Sequence, residues 1–130
     1  MPVFIPATLP DRQPDWVVVL YCAAWCDTCT QYREKFEALA HADALREPDR
    51  RYVCIDIEDE PQWLGDEDVE NFPTIGVQYR NRTLFFGTML PHIGHLERLL
   101  QALTPDSPDA PVQLPAISLD ALNDQRAKNC

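Results

Sequence analysis

The sequence lacks a long hydrophobic run. The β-branched and aromatic run from Trp16 to Cys22 has only seven residues, whereas a transmembrane helix needs about 20 apolar residues. The first ten residues also lack the basic residues of a secretory signal, and prolines interrupt them. We therefore expect no membrane span, and we expect the protein to stay in the cytoplasm.

Positive charge is also scarce. The 130 residues include 11 Lys and Arg against 21 Asp and Glu, a formal net charge of −10. This balance argues against nucleic acid or an anionic membrane as a partner. The stretch from Asp56 to Glu70 has eight carboxylates and no Lys or Arg. We interpret it as a solvated surface, with a docking surface for basic partners as the alternative.

The five cysteines, an odd number, are not spaced like a small secreted disulfide framework. In a reducing cytosol the Cys26-Asp27-Thr28-Cys29 motif is therefore catalytic or metal-binding. A zinc site would need further ligands, and no second CxxC or HxxxH pair is present. Cys22 and Cys54 remain as candidate ligands, but Cys22 would have to turn its side chain toward a helix end. We favour catalysis over zinc or a structural disulfide, and we predict no metal and no cofactor.

Hydrophobic patterning predicts an α/β protein in the order β-α-β-α-β-β-α. Residues 26–47 should form a helix that Pro48 ends, because Tyr32, Phe36, Leu39 and Ala40 fall on one helical face. The acidic stretch from Asp56 to Glu70 has a weak helical pattern, which gives the second predicted helix. The other predicted elements are strands at 16–22, 51–57, 74–79 and 83–87, the last two forming a hairpin, and a helix at 91–103. We divide the chain into an extended lead-in (1–15), one domain (16–103) and a Pro-rich tail (104–130). The tail is mostly flexible, or it is draped over the domain through Ile117, Leu119 and Leu122.

A Cys-x-x-Cys at the start of a helix has a specific chemistry. The unpaired N–H groups of the first turn and the helix dipole favour a thiolate on Cys26, and the thiolate is the nucleophile. Cys29 lies one turn further on the same side. We therefore expect Cys26 to attack a target disulfide and Cys29 to resolve the mixed disulfide.

The sequence resembles the thioredoxin family over about residues 16–103. Ala24-Trp25-Cys26-Asp27-Thr28-Cys29 is similar to the family's strand-to-helix active site, and Phe72-Pro73-Thr74 is similar to its cis-proline loop. The resemblance implies a thioredoxin fold with a mixed central sheet. It also implies that Trp25, Phe72, Pro73 and Thr74 line a groove in which the substrate chain pairs like an added strand.

The sequence departs from the family in several places. The opening strand and helix of most thioredoxins do not fit into residues 1–15. Asp27 should oppose the thiolate by charge repulsion, while the Thr28 hydroxyl is able to donate a hydrogen bond to it. The family's buried Asp and its partner Lys are replaced by Leu20 and Cys54, which leaves Cys29 without an obvious base. Cys22 replaces a tryptophan behind the active site.

Two functions follow. The first is a thiol–disulfide oxidoreductase that reduces or exchanges disulfides in protein substrates, contributes to cell redox homeostasis and is recharged by a reductase or a small thiol. The alternative is a binding module that uses the cis-proline groove and the acidic flank. We expect Cys22 and Cys54 to lie close together as buried, apolar residues, with a second redox pair as the alternative.

Overall fold

The fold was analysed in a computed structural model that describes residues 15–23, 26–46, 49–58, 61–65, 69 and 73–115. Within these ranges the chain forms a four-stranded sheet and two α-helices. The elements are β1 (Trp16–Cys22), α1 (Asp27–Arg46), β2 (Arg50–Asp56), β3 (Thr74–Tyr79), β4 (Arg82–Thr88) and α2 (Ile93–Ala102). The predictions for residues 1–14 and 116–130 lie outside the described residues.

The sheet is mixed, with strand order β2-β1-β3-β4. β1 and β2 run parallel because α1 carries the chain back between them, whereas β3 is antiparallel to both β1 and β4. Arg80 and Asn81 both have positive φ, 47° and 69°, in the β3–β4 connection. Two such residues are the requirement of a type I′ turn, so the predicted hairpin is confirmed with β4 beginning one residue early, at Arg82.

The central strand β1 is buried on both faces, as its unbroken apolar sequence predicted. Val18, Leu20 and Cys22 point into the core beneath α1 and α2, while the intervening residues Val17, Val19 and Tyr21 point into a second cluster. The predicted apolar face of α1 is confirmed, because all four of its residues are buried: Tyr32, Phe36, Leu39 and Ala40.

One predicted element differs. Between β2 and β3 the described residues contain a 3-10 turn, Pro61–Trp63, where the weak pattern predicted an α-helix. Pro61 opens this turn, and Gly65 follows it with a φ of +73°. Gly65 stops the helical path after a single turn because it adopts the left-handed conformation that ends helices.

The second face of the sheet is covered by the C-terminal segment, residues 104–115, together with the 3-10 turn. Leu114 is 2% exposed and packs in the second cluster. Its N–H donates to Thr83 Oγ1 at 2.9 Å, and Ala110 N–H donates to the Thr83 carbonyl at 2.8 Å. Gln78 Nε2 donates to the Pro115 carbonyl at 2.8 Å. The part of the predicted tail that the structure describes is therefore tied to β3 and β4.

Candidate active site

Cys26 occupies the N-cap position of α1. Its N–H donates to the Ala23 carbonyl at 3.0 Å, and its own carbonyl accepts the Thr30 N–H at 3.1 Å, the first hydrogen bond of the helix. An N-cap side chain lies next to the unpaired N–H groups of the first turn, at the positive end of the helix dipole. Cys26 is partly exposed, so an external disulfide has access to its sulfur.

Cys29 lies in the first turn of α1 but points inward, with 2% of its surface exposed. Its Sγ is 4.0 Å from the carbonyl oxygen of Tyr21, at the end of β1. The two cysteines of the motif therefore differ as nucleophile and resolving thiol should: one is open to solvent and the other is buried below it. Asp27 and Thr28, between them, are exposed on the first turn.

Several neighbours act on the charge of Cys29. Its sulfur accepts a hydrogen bond from the Cys22 thiol, which is the main cause of a lowered pKa. The Ala23 N–H and the positive charge of Arg33 also lower the pKa, whereas burial and the carboxylate of Asp56 oppose them. The same hydrogen bond to Cys29, with burial, raises the pKa of Cys22. The interaction between the two sulfurs therefore favours a thiolate on Cys29 and disfavours one on Cys22.

Cys22 lies behind the motif, where the sequence argument placed it, in the same buried cluster as Cys29. It also lies close to Cys54, as predicted, with 3.0 Å between the two Sγ atoms. The backbone partner of Cys54 is Leu20, so Cys22 is offset from Cys54 by two residues. Cys22 is a free thiol, whereas Cys54 is disulfide-bonded and does not titrate.

Leu20 and Cys54, the two replacements identified in the sequence, are both completely buried. Neither side chain brings a carboxylate or an ammonium group to the region below Cys29. The nearby ionic charges are those of Arg33 on α1 and Asp56 at the end of β2. Sequence reasoning missed both residues as neighbours of the site. Asp56 was grouped with a solvated acidic surface, although it is 9% exposed and accepts the Glu58 N–H at 2.8 Å.

Pro73 and Thr74 lie at the sheet end that leads to the active site. Tyr21 of β1 pairs with Thr74 of β3, so Pro73 follows on toward the junction between β1 and α1. Both residues are buried, and the Pro73 carbonyl accepts the Met89 N–H at 3.0 Å. Trp25 and Phe72, the other predicted groove residues, lie outside the described residues.

Within the described parts of the chain, no three His, Cys, Asp or Glu side chains are arranged to hold a metal ion. The helices described there are also too short or too polar to cross a membrane.

Comparison with solved structures shows that the fold of this chain is similar to that of thioredoxins. Mitochondrial thioredoxin 3 from Saccharomyces cerevisiae is similar over 70% of this chain and 81% of its own, with a TM-score of 0.59 and 23% identity. Fasciola hepatica thioredoxin has a TM-score of 0.59 at 19% identity, over 68% and 81% of the two chains. Thioredoxin f from spinach chloroplast has a TM-score of 0.55 at 24% identity, over 68% and 69%. No protein-family model and no curated protein matches the sequence. The chain has a thioredoxin fold, as the sequence predicted.

Proposed function

We propose that this protein is a cytoplasmic thiol–disulfide oxidoreductase whose reactive pair is Cys26 and Cys29. The observation that carries the proposal is the pairing of a partly exposed N-cap cysteine with a buried cysteine whose pKa is lowered. The thioredoxin fold adds support, because the solved structures with this fold include an oxidised thioredoxin.

The reaction has two exchange steps. The Cys26 thiolate attacks one sulfur of a target disulfide, a Cys26–target disulfide forms, and the second target sulfur leaves as a thiolate. Cys29 then attacks Cys26 Sγ, which forms the Cys26–Cys29 disulfide and releases the first target sulfur. The target gains two electrons and two protons. A reductase or a small thiol restores the dithiol, with no other cofactor.

In this proposal the target chain docks beside Pro73 as an added strand, with a cis peptide bond before the proline. Thr74, Trp25 and Phe72 flank that groove, and Asp27 and Thr28 adjust the charge around Cys26. The substrates are disulfide-containing proteins, and neither nucleic acid nor membrane takes part.

Reduction of insulin disulfides in the presence of dithiothreitol tests the activity, and trapping tests the roles. Cys26→Ser should lower the rate to that of dithiothreitol alone. Cys29→Ser should accumulate a covalent insulin adduct, because Cys26 still attacks the target disulfide but the mixed disulfide is no longer resolved. The adduct should be seen on a non-reducing gel and be absent from a reducing gel. Gln101→Ala, at an exposed position of α2 near the far end of α1, is the control and should retain the wild-type rate. An active Cys26→Ser variant, or no adduct with Cys29→Ser, would contradict the assignment.

The binding module remains the second candidate, favoured by the apolar replacements Leu20 and Cys54. In that case wild type and Cys26→Ser would show the same insulin reduction, at the background rate. Partners recovered from extracts would then bind equally well to a Cys26→Ser, Cys29→Ser double variant.

A further inference from the structure

A cavity of about 380 Å³ lies at the end of the sheet opposite the dithiol. It is bounded by the first residues of β1 and β2 and by the C-terminal parts of α1 and α2, whereas Cys26 lies where β1 ends and α1 begins. The volume falls within the range of small-molecule sites, roughly 300–1,000 Å³. None of the residues that line it belongs to the proposed active site, so the cavity has to be explained separately.

One part of the cavity wall is apolar. It consists of Trp16, Leu39, Leu100 and Leu103. Leu39 and Leu100 are buried, and the other two residues are half-buried. A ligand with an apolar surface would be stabilised against this wall, because both surfaces are removed from water.

Two arginines bring hydrogen-bond donors to the same cavity. Arg50 Nη1 donates to Asp43 Oδ2 at 2.8 Å, and Arg46 donates to the other oxygen of Asp43. Tyr52 also donates to Asp43, so this carboxylate is occupied by three donors. The Nε–H of Arg50 is buried and has no hydrogen-bond partner in the described part of the chain. Arg46 is 65% exposed and uses only one nitrogen on Asp43, so both guanidinium groups retain donors for an anionic ligand.

Negative charge reaches the cavity from α2. Glu97 lines the cavity from an exposed position. Among the described residues, the ion pairs of Arg46 and Arg50 are with Asp43 and not with Glu97. The carbonyl groups at the C-terminal end of α2 add partial negative charge, because the helix dipole points its negative end there. Groups of opposite charge that line one cavity without pairing leave room for a ligand that carries both charges.

We propose that this cavity binds a small zwitterion with an apolar body, namely an α-amino acid with an apolar side chain. The carboxylate of the ligand accepts hydrogen bonds from Arg46 and Arg50, since a carboxylate matches the planar fork of a guanidinium group. The ammonium group lies beside Glu97 and the end of α2, and the side chain packs on the apolar wall. The proposal does not depend on the function proposed above, because no cysteine takes part in it.

Isothermal titration calorimetry of the full-length chain tests the proposal, with leucine and phenylalanine as the probes. Leucinamide and phenylalaninamide lack the carboxylate, whereas isocaproate and hydrocinnamate lack the ammonium group. We expect saturable binding of the amino acids and affinities at least about 10-fold lower for each analogue, because each analogue loses hydrogen bonds between charged groups.

Variants locate the site. Arg46→Gln and Glu97→Gln should each weaken binding of the amino acids by about 10-fold or more. Both residues are exposed, so the variants should fold, and circular dichroism verifies this. Arg50 is left unchanged because it holds the buried Asp43. Arg98→Gln, at an exposed position of α2 outside the cavity, is the matched control and should bind as the parent does.

Three results would overturn the proposal. The first is the absence of saturable binding of either amino acid at millimolar concentration. The second is an analogue that binds as tightly as its parent amino acid, because one of the two charges would then not be recognised. The third is unchanged affinity in Arg46→Gln or in Glu97→Gln, which would place the bound ligand elsewhere.

Discussion

Replacement of Leu114 by alanine tests how the C-terminal segment (residues 104–115) contributes to the fold. Leu114 is 2% exposed and packs over Gly76 of β3, where one of its methyl groups would lie 2.8 Å from an added Cβ. Truncation to alanine removes three carbon atoms from the cluster on the second sheet face. The backbone hydrogen bond from Leu114 N–H to Thr83 is unaffected, so the change measures packing alone.

The expected loss follows from the burial. Three buried methyl or methylene groups correspond to about 2.4 kcal/mol of transfer free energy. A remaining cavity adds to this, although the segment is able to collapse in part toward β3. We therefore expect the free energy of unfolding to fall by about 3 kcal/mol, within the range of buried Leu→Ala changes.

Urea unfolding followed by circular dichroism provides the measurement, and Leu90→Ala is the matched control. Leu90 is 62% exposed, so its truncation should change stability by less than about 0.5 kcal/mol. With a slope typical of small domains, Leu114→Ala should lower the urea midpoint by roughly 2 M. Equal midpoints for the two variants would refute the conclusion that residues 104–115 complete the core.

Two further predictions concern the glycines and the buried acid. Gly76→Ala should destabilise the protein by about 1–3 kcal/mol, because the new Cβ would lie 2.8 Å from Leu114 Cδ1. Gly94→Ala in α2 should stabilise the protein by up to about 1 kcal/mol, because no atom lies within 4 Å of the new Cβ there. Urea unfolding of both variants measures this, and an equal loss in both would contradict the steric reason. Asp43 is buried, and burial alone would raise its pKa, but hydrogen bonds from Tyr52, Arg50 and Arg46 together hold that pKa below its ordinary value. The ionised Asp43 therefore stabilises the folded state. Its contribution to the free energy of unfolding is complete above about pH 3.9, the unfolded-state pKa, and is lost as the pH falls through the lower folded-state pKa. Asp43→Asn should cost about 3 kcal/mol at pH 7 and progressively less below pH 4; a pH-independent loss would contradict the charge-based reason.

The predictable parts of the fold depend on local patterns. The face of α1 follows from the spacing of Tyr32 and Phe36, both of which are buried. The hairpin follows from two β-rich runs with a short polar connection. The placement of Cys26 at the helix start follows from the change from an apolar strand to a helical period. Each of these inferences uses residues close together in the sequence.

The remaining features depend on contacts between distant residues. Leu114 was placed in a tail outside the domain because the composition around it is rich in proline, and the choice between a flexible and a draped tail stayed open. It packs against a strand formed some 40 residues earlier. The burial of Cys29 against the end of β1 depends on how α1 crosses that strand end. Periodicity alone does not determine that geometry. Asp56 belonged to an acidic run, and only its register opposite Cys22 reveals its burial.

A redox titration of the Cys26–Cys29 pair decides whether this dithiol is the reactive centre. The protein would be equilibrated in thiol–disulfide buffers of defined potential, quenched with an alkylating reagent and analysed by peptide mass spectrometry. We predict a two-electron transition that is absent in Cys26→Ser, with a midpoint near about −270 mV, as in reducing thioredoxins. Alkylation of both cysteines at every potential, or a transition that persists in Cys26→Ser, would contradict the assignment.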